Sequence, residues 1–148
     1  MRIRIVIDKE AVYEEVAKTT SYTGAKMDED PGAYDRIFTT DEDREQLERF
    51  WGESCTGLCE ALKRFLESEA ESGGRYVLEL EVSESFDAVL RGPMEKEAAS
   101  YMVLSIVSKW YAFTNKGEAG DYAAGAASML EGVRRKACHK RKPRRPVY

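Results

Sequence analysis

The sequence predicts an α+β domain that is mostly helical, with a four-helix bundle and a small two-stranded antiparallel β-element. Its 148 residues, 43% of them hydrophobic, suit one domain that can bury a core of its own. Residues 2–7 and 76–82 alternate apolar and polar side chains, as half-buried strands do. Four longer stretches repeat apolar residues at helical spacing, which indicates four amphipathic helices.

The first strand and the first helix are adjacent in the sequence. In the strand, Ile3, Ile5 and Ile7 share one face, which we expect to be buried. Residues 9–21 then carry an apolar stripe at helical spacing, and Gly24 suggests where this helix ends.

The second helix has the clearest signals. Thr39 or Thr40 can cap its start, with Glu42 or Asp43 completing a capping box. Because its apolar stripe continues for about five turns, the sequence predicts a helix that ends near Ser72-Gly73-Gly74. The stripe consists of Leu47, Phe50, Trp51, Cys55, Leu58, Leu62, Phe65 and Leu66.

The second strand, residues 76–82, places Glu79 and Glu81 on its polar face. Arg2 and Arg4 occupy the polar face of the first strand and have the opposite charge. Cross-strand pairs of opposite charge stabilise a sheet by about 0.2–1 kcal/mol each. Two intervening helices return the chain to the same end, so we expect the two strands to pair antiparallel.

Two helices follow in the C-terminal half. Residues 84–91 predict a short helical turn, and residues 94–114 a helix that is apolar on most sides. Such a helix is either central or partly in an interface. The last helix begins near 118–121, and Pro143 and Pro146 prevent regular helix beyond it.

The formal net charge of −4 hides a strong division. Residues 1–133 hold 15 basic and 27 acidic residues, a net charge of −12. Residues 134–148 hold eight basic residues and no acid, and we interpret them as an extended basic C-terminal tail. Three roles remain open for it: contact with a partner or neighbouring subunit, contact with nucleic acid, or simple solvation. The basic residues are Arg134, Arg135, Lys136, Lys140, Arg141, Lys142, Arg144 and Arg145.

Composition argues against several classes of enzyme. His139 is the only histidine, so one chain cannot form a multi-histidine metal site or a histidine-based triad in its body. No phosphate-binding glycine loop or nucleophile elbow is present. Three carboxylate pairs could serve as acid–base or Mg²⁺ groups, but their spacing is equally that of a solvated surface. We expect no enzyme activity, cofactor or metal. The pairs are Glu14/Glu15, Asp41/Asp43 and Glu79/Glu81.

The N-terminus lacks the apolar region of a signal peptide, and no stretch approaches the length of a membrane span. We therefore expect a protein made inside a cell, without membrane contact.

Cysteines and aromatic residues leave two further alternatives. Cys55 and Cys59 are four residues apart, and a shared metal would need two more ligands, so they are more simply part of the core stripe. Trp110, Tyr111 and Phe113 belong either to the core or to an interface between proteins.

An aromatic-ended helix, an alanine-rich helix and a basic, proline-containing tail follow one another along the C-terminal third. The residues that form this order are Trp110, Tyr122, Ala126, Met129-Leu130, Val133-Arg134-Arg135 and Arg141-Lys142-Pro143-Arg144. Their order resembles small virion proteins of tailed bacteriophages and prophages, particularly head–tail connector and neck subunits. The resemblance implies a non-catalytic structural protein of the virion, assembled in the bacterial cytoplasm. It also implies an oligomeric ring in contact with other virion proteins, in which the basic tail binds a neighbouring subunit, a partner protein or DNA that passes through the ring. A nucleic-acid-binding accessory protein is the alternative.

Overall fold

The computed structural model describes residues 1–26 and 32–143. Within these ranges the chain forms five helices and one three-stranded antiparallel sheet, which confirms a mostly helical α+β fold. Two single 3₁₀ turns, Asp41–Asp43 and Ala88–Leu90, precede α3 and α4. The elements are β1 (Arg2–Asp8), α1 (Lys9–Lys26), α2 (Ala33–Ile37), α3 (Arg44–Ala61), β2 (Leu66–Ser72), β3 (Arg75–Glu81), α4 (Arg91–Thr114) and α5 (Lys116–Ala137).

The sheet has the strand order β1-β3-β2. Antiparallel pairing of β1 with β3 is confirmed, in a register that places Arg2 opposite Glu81 and Arg4 opposite Glu79. Arg4 Nε lies 2.6 Å from Glu79 Oε1, as the matching charges predicted. Arg2 instead reaches across to Glu67 on β2, at 2.7 Å.

The expectation of a two-stranded element is wrong, and so is the helix predicted through residues 62–72. The chain leaves α3 at Leu62, turns, and returns as β2. Phe65 and Leu66 continue the apolar spacing of α3, which is why the pattern suggested a longer helix. The decisive contact is the pairing of β2 with β3 in a hairpin, which the apolar spacing of α3 does not indicate.

A two-residue turn at Gly73 and Gly74 joins β2 to β3. Both glycines have positive φ, 60° and 78°, which side chains with a Cβ rarely adopt. This is the geometry that suits the twist of a tight hairpin. The glycine pair predicted as a helix end is therefore a hairpin turn.

Helix α4 lies at the centre of the fold. It packs against α5 along its length and also against α1, α3 and β1. In its contact with α3, Tyr101 donates a hydrogen bond of 2.9 Å to the carbonyl of Ser54, and the Ser54 and Ser105 hydroxyls lie 2.7 Å apart. Four long helices are present as predicted, with different ends for α1 and α3, but a four-helix bundle is not confirmed, since the sheet shares the core.

Capping residues and glycines in the sequence predicted some helix ends correctly and others wrongly. The capping box at Thr40 and Asp43 is confirmed, with Thr40 N donating to Asp43 Oδ2 at 2.8 Å. Helix α1 continues past Gly24, where a Cβ would lie only 2.8 Å from Tyr34 Cα on α2. Gly24 thus allows a close approach of two helices and does not end one.

The basic residues do not all belong to an extended tail. Helix α5 continues to Ala137 and includes Arg134–Lys136. Val133 and Ala137 are buried and carry its apolar stripe to this point, and Arg, Lys and Ala are good helix formers. Residues 138–143 are irregular, and Arg144 and Arg145 lie outside the described residues.

Candidate interaction surfaces

We call residues 134–148 the basic segment. Two of its helical bases are paired: Arg134 Nη2 lies 2.5 Å from Glu131 Oε1, and Lys136 contacts Glu97 on α4. The other four bases of its described part are exposed and form no ion pair with any described residue. These are Arg135, Lys140, Arg141 and Lys142.

Main-chain hydrogen bonds hold the start of the basic segment on the loop before α4. Asp87 N donates to the carbonyl of His139 at 3.3 Å, and Arg141 N donates to the carbonyl of Ser85 at 2.9 Å. Phe86, between the two loop residues, is only 2% exposed and anchors this loop in the core. The backbone of the segment is therefore positioned while the Lys140 side chain stays exposed to solvent.

The three aromatic residues considered for an interface lie in different environments. Tyr111 is fully buried and packs edge-on against Tyr122, with ring centroids 5.1 Å apart, so it belongs to the core. Trp110 is half-buried. Phe113 is 68% exposed and stacks on Phe50, with ring centroids 6.1 Å apart. Of the three, only Phe113 presents a largely open ring.

An apolar groove with a volume of about 570 Å³ lies over α4. Side chains of α4 form its floor, β1 and α1 form one wall, and Met129 of α5 lies on the other side. We call it the α4 groove. Its apolar residues are Val6, Ile7, Ala11, Val12, Ala99, Val103, Leu104 and Met129.

The charged residues of the α4 groove are mainly acidic: Asp8, Glu15 and Glu95 against Lys96. Glu95 Oε2 accepts hydrogen bonds from the backbone N–H of Val6, at 3.0 Å, and from Arg91, at 3.1 Å. These contacts cover part of the outer edge of β1, which would otherwise offer free strand hydrogen bonds. The sequence did not predict the groove. The only indication of it was the excess of apolar residues over 94–114.

The cysteines of α3 lie beside the sheet. Cys59 Sγ is 2.8 Å from Glu69 Oε2 and 3.0 Å from the Tyr76 hydroxyl, which also bonds to Glu69. Burial and the bond to Glu69 raise the pKa of Cys59 to about 11. Burial, helped by nearby Glu71, raises the pKa of Cys55 to about 12. Both thiols are therefore protonated at neutral pH and are poor nucleophiles.

The carboxylate pairs considered for catalysis do not converge. Glu79 is paired with Arg4, and Asp43 completes the helix cap. Glu14 is exposed on α1, and its neighbour Glu15 lies 3.6 Å from Lys18. Across residues 1–26 and 32–143, no group of three or more potential metal ligands is close enough to hold an ion.

None of the helices in the described ranges is long and apolar enough to cross a bilayer.

Comparison of the chain with protein-family models, curated proteins and solved structures finds no match. The function must therefore be inferred from the charge, exposure and packing of these surfaces.

Proposed function

We propose that the protein is a non-catalytic structural subunit of a phage or phage-like particle. In this proposal it forms a head–tail connector or neck ring with copies of itself and with neighbouring virion proteins. It is assembled in the bacterial cytoplasm, becomes part of the virion, and uses no cofactor. The particle and its neck come from the resemblance of the C-terminal third to connector proteins, and the role in assembly rests on the surface charges.

The separation of charge is the observation that carries this proposal. Residues 1–133 have a net charge of −12, whereas the basic segment carries eight positive charges. Four of its bases, Arg135 and Lys140–Lys142, are exposed and unpaired among the described residues. An acidic surface on another copy or on a partner would neutralise them. Such complementarity selects partners and raises association rates more than it raises affinity.

Placement of the segment also supports a role in assembly. Its backbone is held on Ser85 and Asp87, so the chain leaves the domain at a defined point. The basic segment therefore loses less conformational entropy on binding a partner than a wholly free tail would. Phe113 offers a second exposed contact at the far end of α4.

The test is the oligomeric state of the full chain, measured by native mass spectrometry and by light scattering at low and high salt. We expect oligomers that dissociate as salt rises, because salt screens exposed charges beyond a distance of about 10 Å at 0.1 M. Replacing Arg135, Lys140, Arg141 and Lys142 by Gln should weaken assembly. The matched control replaces four exposed bases of the acidic body by Gln: Lys18, Arg49, Lys63 and Lys116. A chain that stays monomeric at all salt concentrations, alone and with candidate partners, would contradict the proposal.

A nucleic-acid-binding accessory protein is the second candidate. The same four unpaired bases favour it, because exposed Arg and Lys neutralise phosphates and release counterions. Four phosphate contacts would give a slope of about −4 in a plot of log affinity against log salt. Fluorescence anisotropy with duplex DNA measures this slope. If the four Gln substitutions abolish DNA binding and leave assembly unchanged, the accessory role is the correct one.

A further inference from the structure

We propose that the α4 groove of one copy binds the basic segment of a second copy, so that copies join head to tail. This inference rests on the proposed role in assembly and specifies the contact that would produce it. The α4 groove and the basic segment are the two surfaces involved.

The first step is that the α4 groove leaves apolar side chains next to the core partly exposed to solvent. Helix α4 is covered by α3, by α5 and by α1 with β1, and the groove lies on its remaining side. Ala99, Val103 and Leu104 are only partly buried there, although each packs against the core. A partner that covers them gains about 25 cal/mol per Å² of apolar surface removed from water. The size, about 570 Å³, is in the range of sites that hold a ligand or a short segment.

The second step concerns the charge of the occupant. Among the acidic residues that line the α4 groove, Glu95 is paired with Arg91 and Glu15 lies 3.6 Å from Lys18, whereas Asp8 is exposed and forms no ion pair with any described residue. Two grooves that met face to face across a two-fold axis would bring like charges together, and this repulsion is unfavourable. The groove therefore fits a positively charged occupant that also has apolar side chains.

The third step is that the basic segment meets both requirements. It combines its eight bases with Pro143, Pro146, Val147 and Tyr148. Residues 144–148 can extend over at most about 17 Å. The floor of the groove from Glu95 to Leu104 is about 14 Å long at the rise of an α-helix. The basic segment therefore matches the α4 groove in length, charge and apolar content.

The arrangement of copies follows from the difference between the two surfaces. The basic segment leaves the domain beside Ser85 and Asp87, whereas the α4 groove lies along residues 95–104. A contact between two unlike surfaces of the same chain is heterologous, and it produces a closed ring or an open filament. A head-to-tail contact therefore builds a ring from one kind of subunit when the rotation between successive copies closes.

Two pairs of variants test the α4 groove. Ser100 is exposed and lines it, so Ser100→Trp fills the groove without entering the core. Ser128→Trp is the control, at an exposed helical serine that does not line the groove. Glu15→Lys reverses a groove charge, and Glu14→Lys reverses its exposed neighbour. We expect Ser100→Trp to weaken self-association at least tenfold, Glu15→Lys about threefold, and both controls to leave it unchanged.

A mixing experiment tests whether the contact joins two copies. One partner carries Ser100→Trp and so supplies only a basic segment. The other has Lys140–Lys142, Arg144 and Arg145 replaced by Glu, and supplies only an α4 groove. We expect each to be monomeric alone and the mixture to stop at a one-to-one dimer in native mass spectrometry.

The outcomes separate the inference from the proposed function. If the wild-type chain assembles and Ser100→Trp assembles equally well, the groove is not the contact and the inference is wrong, while the structural role stands. If the mixture gives no dimer, the basic segment binds within its own molecule or to a different partner, and the inference is again wrong. A wild-type chain that is monomeric in every condition removes both proposals.

Discussion

Replacing Lys9 by Met should destabilise the protein far more than the loss of an ordinary surface lysine. Lys9 begins α1, and its side chain is only 13% exposed. The ammonium lies 2.6 Å from Glu48 Oε2 on α3 and 2.9 Å from Glu71 Oε1 on β2. It also lies 5.3 Å from the ring centroid of Trp51. One side chain thus ties the start of α1 to a helix and to the edge strand.

The expected loss is about 1–2 kcal/mol. A hydrogen bond between charged groups contributes about 1.5–3 kcal/mol when it is buried, and an exposed ion pair about 0–1 kcal/mol. Glu48 and Glu71 are 41% and 40% exposed, so both carboxylates regain water when the ammonium is removed. Met keeps the apolar stem, so the variant reports mainly the charge. In a chain of this size the melting temperature should fall by about 3–6 °C.

The effect should depend on pH in a defined direction. Burial alone raises the pKa of Glu48, but the hydrogen bond from Lys9 and the positive charges of Lys9 and Arg44 outweigh it, so the folded pKa is below the ordinary 4.5. A lowered pKa contributes stability that is present above the unfolded value and is lost as the pH falls through the folded value. Burial lowers the pKa of Lys9, but its bonds to Glu48 and Glu71 raise it above 10.5 overall. Its contribution is therefore complete below that pH and is lost only as the pH rises through the raised value.

Urea unfolding of the wild-type chain and of Lys9→Met, at pH 7 and again well below pH 4, measures both effects. Lys18→Met is the matched control, because Lys18 is 73% exposed and 3.6 Å from Glu15, so it should cost less than about 0.5 kcal/mol. We expect a clear difference between the two variants at pH 7 that shrinks in acid. Equal losses for the two variants at pH 7, or a Lys9→Met effect that is unchanged in acid, would refute this reasoning.

Three further predictions concern the hairpin, the thiols and the centre of the core. Gly74→Ala places a Cβ at a φ of 78° and should cost about 1–2 kcal/mol in urea unfolding, whereas Gly120→Ala, in open space on α5, should stabilise by about 0.5–1 kcal/mol. With a chromogenic disulfide reagent at pH 8, exposed Cys138 should react fast and the two α3 thiols slowly; Cys138→Ser should therefore remove only the fast phase. Tyr101→Phe removes a buried hydrogen bond of 2.9 Å to the α3 backbone and should cost about 1 kcal/mol by chemical denaturation.

Elements with a strong local pattern could be predicted from the sequence. Strands β1 and β3 have one buried face each, and the charges of Arg4 and Glu79 match across the pair as the alternation indicated. The capping box of Thr40 and Asp43 needs only residues that are three apart, so the sequence contains all of it. The basic character of residues 134–148 is likewise a property of composition alone.

Strand β2 shows where local pattern is insufficient. Its residues, Leu66–Ser72, are mostly Glu, Ser and Ala, which have weak strand propensity, and six of the seven are exposed. The Gly73-Gly74 turn brings this segment alongside β3, whose side chains are buried on one face. The segment becomes a strand because its backbone forms hydrogen bonds with the backbone of β3. The two glycines carried a hairpin signal that the apolar spacing of α3 obscured.

The sequence by itself determined which residues could be buried and where the positive charge lies. Only the tertiary structure decided that Arg134–Lys136 are helical, that Tyr111 is core, and that α4 keeps one apolar side open as a groove. The physical reason is the range of the interactions. Periodicity and capping act over a few residues, whereas a groove exists only where β1, α1, α4 and α5 meet, and these elements are distant along the chain.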